Sequence, residues 1–364
     1  MNKLSTLIVL AAVASLVLGC YASNHKDNPP SFEVGEPITV ADGVAPALTM
    51  GSDHMFLGWT EIDMAEEVGQ AVVSELNSDL VLESRLEISG EASLVNQLAS
   101  SSSDIFFTFA SNESPARFSV SRIGEDMAVT PLTTEIPSYI SPIVCIHSIC
   151  YSAYAVITES SPGVPESTQT HLIVFEGDDV TVMNLLYQEN VGGFSPFLVA
   201  VDSSLHMCWS QFAGEFDGKS YCGEIEFMGT WAHPINLIYL ELSESSFIRQ
   251  MVPVEGGYIA VAMDFNKQWS MFNQVTGETT SLGSAQYLKM LTWDDLLITL
   301  RLADDALVMD ELMSETVLKL ADVSYDQLNT VDAVIQGDDL IITYQDGRAF
   351  DRDTCSINLI RVSK

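Results

Sequence analysis

Positively charged residues are scarce in this chain. Its 364 residues include 15 lysines and arginines against 50 aspartates and glutamates, so the formal net charge at neutral pH is −35. Nucleic acid phosphates and anionic lipid headgroups repel a polyanion of this size, which argues against DNA and RNA as partners. The same charge also fits an acidic surface that keeps a protein soluble in concentrated salt.

Local signatures of the common enzyme classes are also missing. The strings HExxH, GxxxxGK[ST], GxGxxG and GxSxG do not occur, which disfavours zinc proteases, nucleotide-binding enzymes and α/β-hydrolases. The 50 acidic residues leave room for a dispersed carboxylate pair of the kind that glycosidases use. With 47% hydrophobic residues the chain has enough apolar side chains for a sizeable core.

Residues 1–19 have the form of a secretory signal peptide. Lys3 is followed by an apolar run from Leu7 to Leu18, which is too short to span a bilayer comfortably. The sequence Val-Leu-Gly-Cys that ends at Cys20 resembles the lipobox of bacterial lipoproteins, in which the cysteine becomes the acylated first residue after cleavage. No later segment reaches membrane-spanning length.

This resemblance implies that Cys20 is the lipid attachment site and carries palmitate among its acyl chains. Residues 20–33 are polar, contain a Pro-Pro pair and are expected to form a flexible tether to the membrane. Many lipoproteins retained in the inner membrane have Asp where this chain has Tyr21, so the resemblance implies the outer membrane if the organism is Gram-negative. The alternative is an ordinary secretion signal in which Cys20 is incidental.

Export would permit disulfides among the cysteines that remain besides Cys20. Cys145 and Cys150 flank a two-residue turn that places them opposite each other in a tight hairpin. Cys208 and Cys222 flank a loop between two strand-like runs. We predict these two bridges and a free thiol at Cys355. A metal site is the competing interpretation, but no second Cys or His pair has the spacing of a zinc finger.

A repeat runs through the rest of the chain. Short Val-, Ile-, Phe- and Tyr-rich segments bounded by Gly, Asp and Ser recur from Ile38 to Val362, which is typical of an all-β protein. Pairs of such segments around a tight turn appear at a mean spacing of about 47 residues, the length of a four-stranded blade. The pattern predicts one domain, residues 34–364, folded as a seven-bladed β-propeller of four-stranded antiparallel blades. Six or eight blades, or a β-sandwich, are the alternatives.

The last repeat is one strand short of a four-stranded blade. It supplies three strands, so we predict that the N-terminal segment around residues 37–40 completes the last blade. Deleting residues 34–40 would then cost more stability than their number suggests, because they would join the two ends of the chain.

Two repeats carry a family resemblance. The segments GVAPALTMGSDHMFLGWTEI and GFSPFLVAVDSSLHMCWSQF resemble the paired inner strands of sialidase-like bacterial propellers, with a proline thirteen residues before a tryptophan in each (Pro46 and Trp59, Pro196 and Trp209). The Asp-box motif of sialidases is absent, so the resemblance implies the propeller fold and no sialidase chemistry.

Acidic residues precede the second strand in six of the seven repeats, and propeller symmetry would place these turns on one face. Carboxylates can bind calcium, and the candidates are the two acidic pairs Asp294-Asp295 and Asp338-Asp339. Asp and Gly are also what hairpin turns require. Turn chemistry is therefore the preferred interpretation, and we predict no metal site and no cofactor.

The opposite face is expected to carry the longest loops, residues 158–170 and 211–220. Long loops on a rigid scaffold often hold binding sites, which makes Phe212 and Phe216 candidate contact residues, although packing within the hairpin is the preferred explanation for both. The sequence thus favours a monomeric, noncatalytic, membrane-tethered lipoprotein of the cell envelope that binds a protein or glycan through one propeller face. The alternative is a glycan-acting hydrolase or lyase of propeller fold.

Overall fold

The computed structural model describes residues 31–63, 68–88, 93–101, 104–111, 117–124, 127–136, 140–161, 164–185, 193–211, 219–240, 242, 246–314, 316–324, 330–347 and 355–364. The predicted signal peptide, Cys20, Phe212 and Phe216 lie outside these ranges. The described chain forms 29 β-strands and no helix. It therefore contains no helix that is long and apolar enough to cross a membrane.

The strands follow one another in short, regular steps along the chain. Their bounds are β1 Glu33–Val34, β2 Ile38–Asp42, β3 Val44–Met50, β4 Met55–Asp63, β5 Val68–Leu76, β6 Leu82–Glu87, β7 Ser93–Ser100, β8 Ile105–Ser111, β9 Phe118–Ile123, β10 Val129–Ile136, β11 Val144–Ile146, β12 Ile149–Ser161, β13 Val164–Glu176, β14 Asp179–Leu185, β15 Gly193–Val201, β16 Ser204–Gln211, β17 Lys219–Met228, β18 Trp231–Leu240, β19 Phe247–Val254, β20 Gly257–Met263, β21 Gln268–Asn273, β22 Glu278–Ser284, β23 Tyr287–Trp293, β24 Leu296–Ala303, β25 Ala306–Glu311, β26 Thr316–Asp322, β27 Val331–Gln336, β28 Asp339–Asp346 and β29 Ser356–Ser363.

These strands pair into six sheets, most of them small antiparallel meanders. Four sheets have four strands each: β3 to β6, β7 to β10, β19 to β22 and β23 to β26. A fifth sheet joins β27, β28 and β29 to β1 and β2, and the sixth has eight strands in the order β11-β12-β13-β14-β18-β17-β16-β15. The two halves of the eight-stranded sheet are each antiparallel. They meet in a short parallel pairing of β14 with β18, in which Asn184 lies beside Trp231 and Leu185 beside Ala232.

The burial pattern of the strands explains why neighbouring sheets pack face to face. The second strands β20 and β28 are buried on both faces, whereas the fourth strand β6 alternates half-buried and exposed residues. A strand that is apolar on both sides needs a neighbouring sheet on each side. The first strands contact one another from sheet to sheet, and β27 contacts β3 of the first sheet. The predicted all-β, propeller-like arrangement is confirmed.

The core is divided among the gaps between the sheets. One cluster fills the space between the first sheet and the last, around Leu57, Trp59 and Ile341. Another lies between the two halves of the eight-stranded sheet, around Leu172 and Trp209. Each fully buried Leu, Ile or Phe contributes about 1.5–3 kcal/mol to folding, so the cluster in each gap stabilises the contact between its two sheets.

Polar side chains fasten the inner strands of neighbouring sheets. In each case a backbone N–H in or next to a first strand donates a hydrogen bond to a side chain of the preceding sheet. The pairs are Val95 with Thr60 (2.8 Å), Ile143 with Gln97 (3.2 Å), Ile248 with Ser210 (3.4 Å), Met290 with Gln250 (2.9 Å), Leu48 with Asp332 (3.0 Å) and Ala45 with Gln345 (3.2 Å). The last two connect the first sheet to the last and therefore close the ring.

The repeated prolines lie where the ladder is interrupted. Pro46 falls in the register shift between Val44 and Ala47 of β3, and Pro196 falls in the equivalent shift of β15. A proline has no N–H to donate, so a bulge is where a sheet tolerates it. In both strands the shift lies opposite the tryptophan of the repeat, Trp59 or Trp209.

The N-terminal strands complete the last sheet, as the sequence predicts. Strand β2 pairs antiparallel with β29, with Ile38 opposite Leu359 and Asp42 opposite Ser356. The short strand β1 pairs with the end of β29, with Glu33 opposite Ser363.

Both predicted disulfides are present. Cys145 and Cys150 face each other across the β11–β12 hairpin, and Cys208 on β16 bonds to Cys222 directly opposite on β17. Cys355 takes part in neither bridge, and its Sγ lies 3.9 Å from Gln345 Nε2.

Candidate functional site

The ring of sheets has two faces that differ in how they are built. We call the side with the first-to-second and third-to-fourth strand turns the turn face, and the side with the remaining connections the loop face. Ion pairs confirm that turns of neighbouring sheets share the turn face. Arg122 contacts Asp104 in the β7–β8 turn at 3.3 Å and Asp178 in the β13–β14 turn at 2.6 Å. Lys364, at the end of β29, contacts Asp294 in the β23–β24 turn.

The turn face carries the acidic residues that the sequence singles out. Asp202 and Asp294 adopt positive φ angles of 54° and 51°, a conformation that Asp tolerates better than most residues, which supports their role in turn formation. The side chain of Asp294 is 68% exposed even though it contacts Lys364. The turns of this face are therefore exposed to solvent at Asp202 and Asp294.

The calcium candidates have protein partners where the structure shows them. Asp339 accepts a hydrogen bond from Ser363 Oγ at 2.6 Å and lies 3.6 Å from Arg361, and Asp294 is held by Lys364. Among the described residues no group of three or more His, Cys, Asp or Glu side chains is arranged to hold a metal ion. Calcium binding at Asp294, Asp295, Asp338 and Asp339 stays an untested hypothesis.

The loop face carries a hairpin where the sequence predicts a loop. Strands β12 and β13 have 13 residues each and pair from Ile149–Glu176 up to Ser161–Val164, so residues 158–170 are mostly strand, and the predicted loop there is wrong. The Pro and Gly residues in this segment resemble loop signals. Pro165, however, lies at an irregularity of the ladder, which accommodates it without ending the hairpin. The loop around Phe212 and Phe216 is the second-to-third strand connection of the adjacent half-sheet, and its centre lies outside the described residues.

A row of polar and aromatic side chains lies across the base of this hairpin. Tyr154, His171 and Asn184 are directly opposite one another on β12, β13 and β14. The rings of Tyr154 and His171 stack with centroids 4.9 Å apart, and Gln169 Nε2 donates to Asn184 Oδ1 at 3.3 Å. Burial raises the pKa of Tyr154 and lowers that of His171, although the hydrogen bond of His171 with Asn184 acts to raise the pKa of His171. The row therefore offers uncharged hydrogen-bonding groups at neutral pH.

Exposed apolar side chains concentrate on the outer strands of the eight-stranded sheet. Six large ones lie there: Val182 on β14, Phe227 and Met228 on β17, and Trp231, Leu237 and Tyr239 on β18. The sequence analysis missed both this patch and the Tyr154 row. The run Phe-Met-Gly-Thr-Trp at residues 227–231 was a visible signal for the patch, but the row depends on strand register.

The first described residues are packed against the turn face. Phe32 stacks on Trp293 with ring centroids 5.7 Å apart, and Lys364 Nζ lies 4.6 Å from the centre of the same Trp293 ring. Trp293 ends β23 immediately before the β23–β24 turn. The first described residues therefore lie at the turn face.

Comparison with known proteins reveals similarity of fold only. No family model matches the chain, and no curated protein sequence matches it. Similar solved structures include the Pyrococcus horikoshii acylaminoacyl peptidase, with TM-score 0.53 and 9% identity over 88% of this chain and 51% of that chain. The β-propeller domain of the Trilobed protease from Pyrococcus furiosus has TM-score 0.54 and 7% identity over 88% of this chain and 94% of that chain.

A mutant of Trypanosoma rangeli sialidase has TM-score 0.46 and 8% identity over 91% of this chain and 59% of that chain. This chain spans about half the length of the peptidase. At such identities the likeness extends to the propeller fold and no further.

Proposed function

We propose that this chain is a noncatalytic, seven-bladed propeller lipoprotein, tethered to a membrane of the cell envelope through Cys20, that binds a protein or glycan through its loop face. The membrane is the outer one if the organism is Gram-negative. The stacking of Phe32 on Trp293 supports this proposal, because a tether that enters the domain at Phe32 on the turn face would leave the loop face directed away from the anchor.

The blade count rests on treating the eight-stranded sheet as two blades. Each half is a complete four-stranded meander, and a core cluster of its own lies between the halves, as between every other pair of neighbouring sheets. The parallel contact of β14 with β18 then joins two blades at their outer edges.

The proposed binding region is the part of the loop face above the eight-stranded sheet. The long β12–β13 hairpin projects there, next to the second-to-third connection of the adjacent half-sheet. Tyr154, His171 and Asn184 at the base of the hairpin offer an aromatic surface with uncharged donors and acceptors. Such groups suit the hydroxyls of a glycan as well as the backbone of a protein loop.

Two measurements test the proposal. Intact mass of the protein isolated from membranes should show acylation of Cys20, and crosslinking in whole cells should capture a partner from the envelope. In a hairpin variant, an Asn-Gly turn replaces residues 158–167, which keeps Val156 opposite Gln169. We expect this variant to lose the partner. The matched control, Asp202→Asn with Asp295→Asn on the turn face, should keep it.

Two results would contradict the proposal. One is an unmodified Cys20 in the membrane fraction. The other is turnover of a glycan by the purified protein that is lost when a pair of carboxylates is neutralised, which would identify a hydrolase or lyase instead.

A further inference from the structure

The β17–β18 hairpin ends in an apolar tip on the surface of a highly acidic protein. Its residues from Phe227 to Trp231 contain no ionisable group, and Phe227, Met228 and Trp231 are 42%, 58% and 42% exposed. Val182 on the adjacent strand β14 is also exposed and extends the patch. Exposed apolar side chains in such a cluster usually mark an interaction surface.

The tip lies on the same face as Phe32. The β17–β18 connection at Gly229-Thr230 is a third-to-fourth strand turn and therefore belongs to the turn face. Phe32 is held on that face by Trp293. The twelve residues from Cys20 to Phe32 reach at most about 40 Å when fully extended. An acylated Cys20 would thus keep the turn face, and the tip with it, close to the lipid surface.

We propose that the β17–β18 tip inserts into the interfacial region of the membrane as a second, non-covalent contact. This inference rests on the tether of the proposed function. Tryptophan is favoured at membrane interfaces, where its ring is both apolar and able to donate a hydrogen bond, and the flexible side chain of Met228 suits the same environment. Because the tether raises the local concentration of lipid, a modest apolar contact is enough to hold the tip in place.

The negative charge of the turn face determines which lipid headgroups the tip can approach. The turn face carries exposed carboxylates, among them Asp178, Asp179 and Asp202. Anionic headgroups would repel these residues over a distance of about 10 Å at 0.1 M salt, whereas zwitterionic headgroups would not. The tip therefore fits a zwitterionic surface, and we expect its insertion to weaken as anionic lipid is added.

The contact of the tip with lipid can be measured through tryptophan fluorescence. Trp59, Trp209, Trp269 and Trp293 are all buried, so Trp231 is the tryptophan of the chain that lipid can reach. The acylated full chain is reconstituted on phosphatidylcholine vesicles whose acyl chains are brominated. Insertion should shift the emission of Trp231 to shorter wavelength and quench it, because bromine quenches only at contact.

Matched variants separate insertion from tethering. Met228→Glu should abolish the quenching while the protein still floats with the vesicles, and it leaves in place the contact of Phe227 with Tyr151, whose ring centroids are 5.6 Å apart. Phe265→Glu removes a side chain that is 63% exposed between β20 and β21 on the loop face, and should leave quenching intact. Emission that stays unshifted and unquenched in the floating wild-type protein would overturn the inference.

A second arm removes the dependence on acylation. Residues 21–364, which include every described residue, are held by an N-terminal histidine tag on vesicles with nickel-chelating lipid. Quenching in this arm supports the tip contact even if mass spectrometry shows no acyl group, in which case only the proposed function fails. Absence of quenching in this arm, or an equal blue shift without lipid at rising protein concentration, contradicts the tip contact.

Discussion

Phe32 and Trp293 join parts of the chain that are 261 positions apart, with ring centroids 5.7 Å apart and planes inclined by 28°. Trp293 is buried, and Lys364 covers the same ring. The start of the described chain, the end of β23 and the last residue therefore meet at one point of the turn face.

Replacing Phe32 with alanine should therefore destabilise the fold. Aromatic pairs contribute about 0.5–1.5 kcal/mol beyond area burial, so we expect Phe32→Ala to lower the free energy of unfolding by about 1 kcal/mol in urea titrations. Val317→Ala, at an exposed site on β26, serves as the control and should change it by less than about 0.5 kcal/mol. Equal effects of the two variants would mean that the stacking is energetically irrelevant.

Deleting residues 31–42 should have a larger effect than losing twelve mostly exposed residues suggests. The deletion removes β1 and β2 and leaves the edge of β29 unpaired, although Ile357, Leu359 and Ile360 of that strand belong to the core. We expect faster hydrogen exchange throughout β29 and association of the variant in size-exclusion chromatography. Unchanged protection of β29 would show that the N-terminal strands are dispensable.

The two disulfides should differ in their contribution to stability. The Cys208–Cys222 bridge spans 14 positions and the Cys145–Cys150 bridge spans 5. Loop-closure entropy then gives about 3 kcal/mol for the former and about 2 kcal/mol for the latter. Paired Cys→Ala variants of each bridge, compared by chemical denaturation, should follow this order. The reverse order would indicate that native packing around the bridges outweighs chain entropy.

Replacing Gln250 should lower the free energy of unfolding more than replacing an exposed glutamine. Its Oε1 accepts from Met290 N at 2.9 Å and its Nε2 donates to Met290 O at 2.6 Å, so Gln250→Leu leaves two backbone groups without their partner. We expect a loss of about 2 kcal/mol in the free energy of unfolding. Gln268→Leu on the exposed side of β21 is the control. A loss no greater than that of the control would contradict this role.

Alkaline pH should unfold the protein through two buried tyrosines. Burial raises the pKa of Tyr258 and of Tyr344 to about 12, whereas an unfolded tyrosine ionises near pH 10. Between about pH 10 and 12 the folded state thus binds more protons, and stability that is complete below pH 10 is lost as the pH rises. Each tyrosine accounts for about 2 kcal/mol of this loss.

The pH dependence is measured by denaturation in a Cys355→Ala background, which prevents thiol exchange. Tyr258→Phe and Tyr344→Phe should each flatten the decline above pH 10, and Tyr239→Phe at an exposed site should not. A decline of unchanged slope in all three variants would assign it to other groups.

Interactions between residues that are close in the sequence could be predicted from it, whereas contacts between distant segments could not. The Cys145–Cys150 bridge was predictable because a two-residue turn fixes which residues lie opposite. The propeller was predictable because a repeat of similar units has few ways to cover both faces of its sheets. The Phe32–Trp293 stacking and the pairing of Asn184 with Trp231 were not predictable, because they depend on how distant strands come together. The β12–β13 hairpin was missed because Pro and Gly indicate a turn without revealing whether a bulge can absorb them.

The parallel pairing of β14 with β18 affects where the ring of sheets can open. The inner strands of the described sheets are joined by side-chain packing and side-chain-to-backbone hydrogen bonds, whereas these two outer strands pair along their main chains. Residues 144–240 should therefore open and close as one cooperative unit in native-state hydrogen exchange. Opening of the ring should start between another pair of neighbouring sheets.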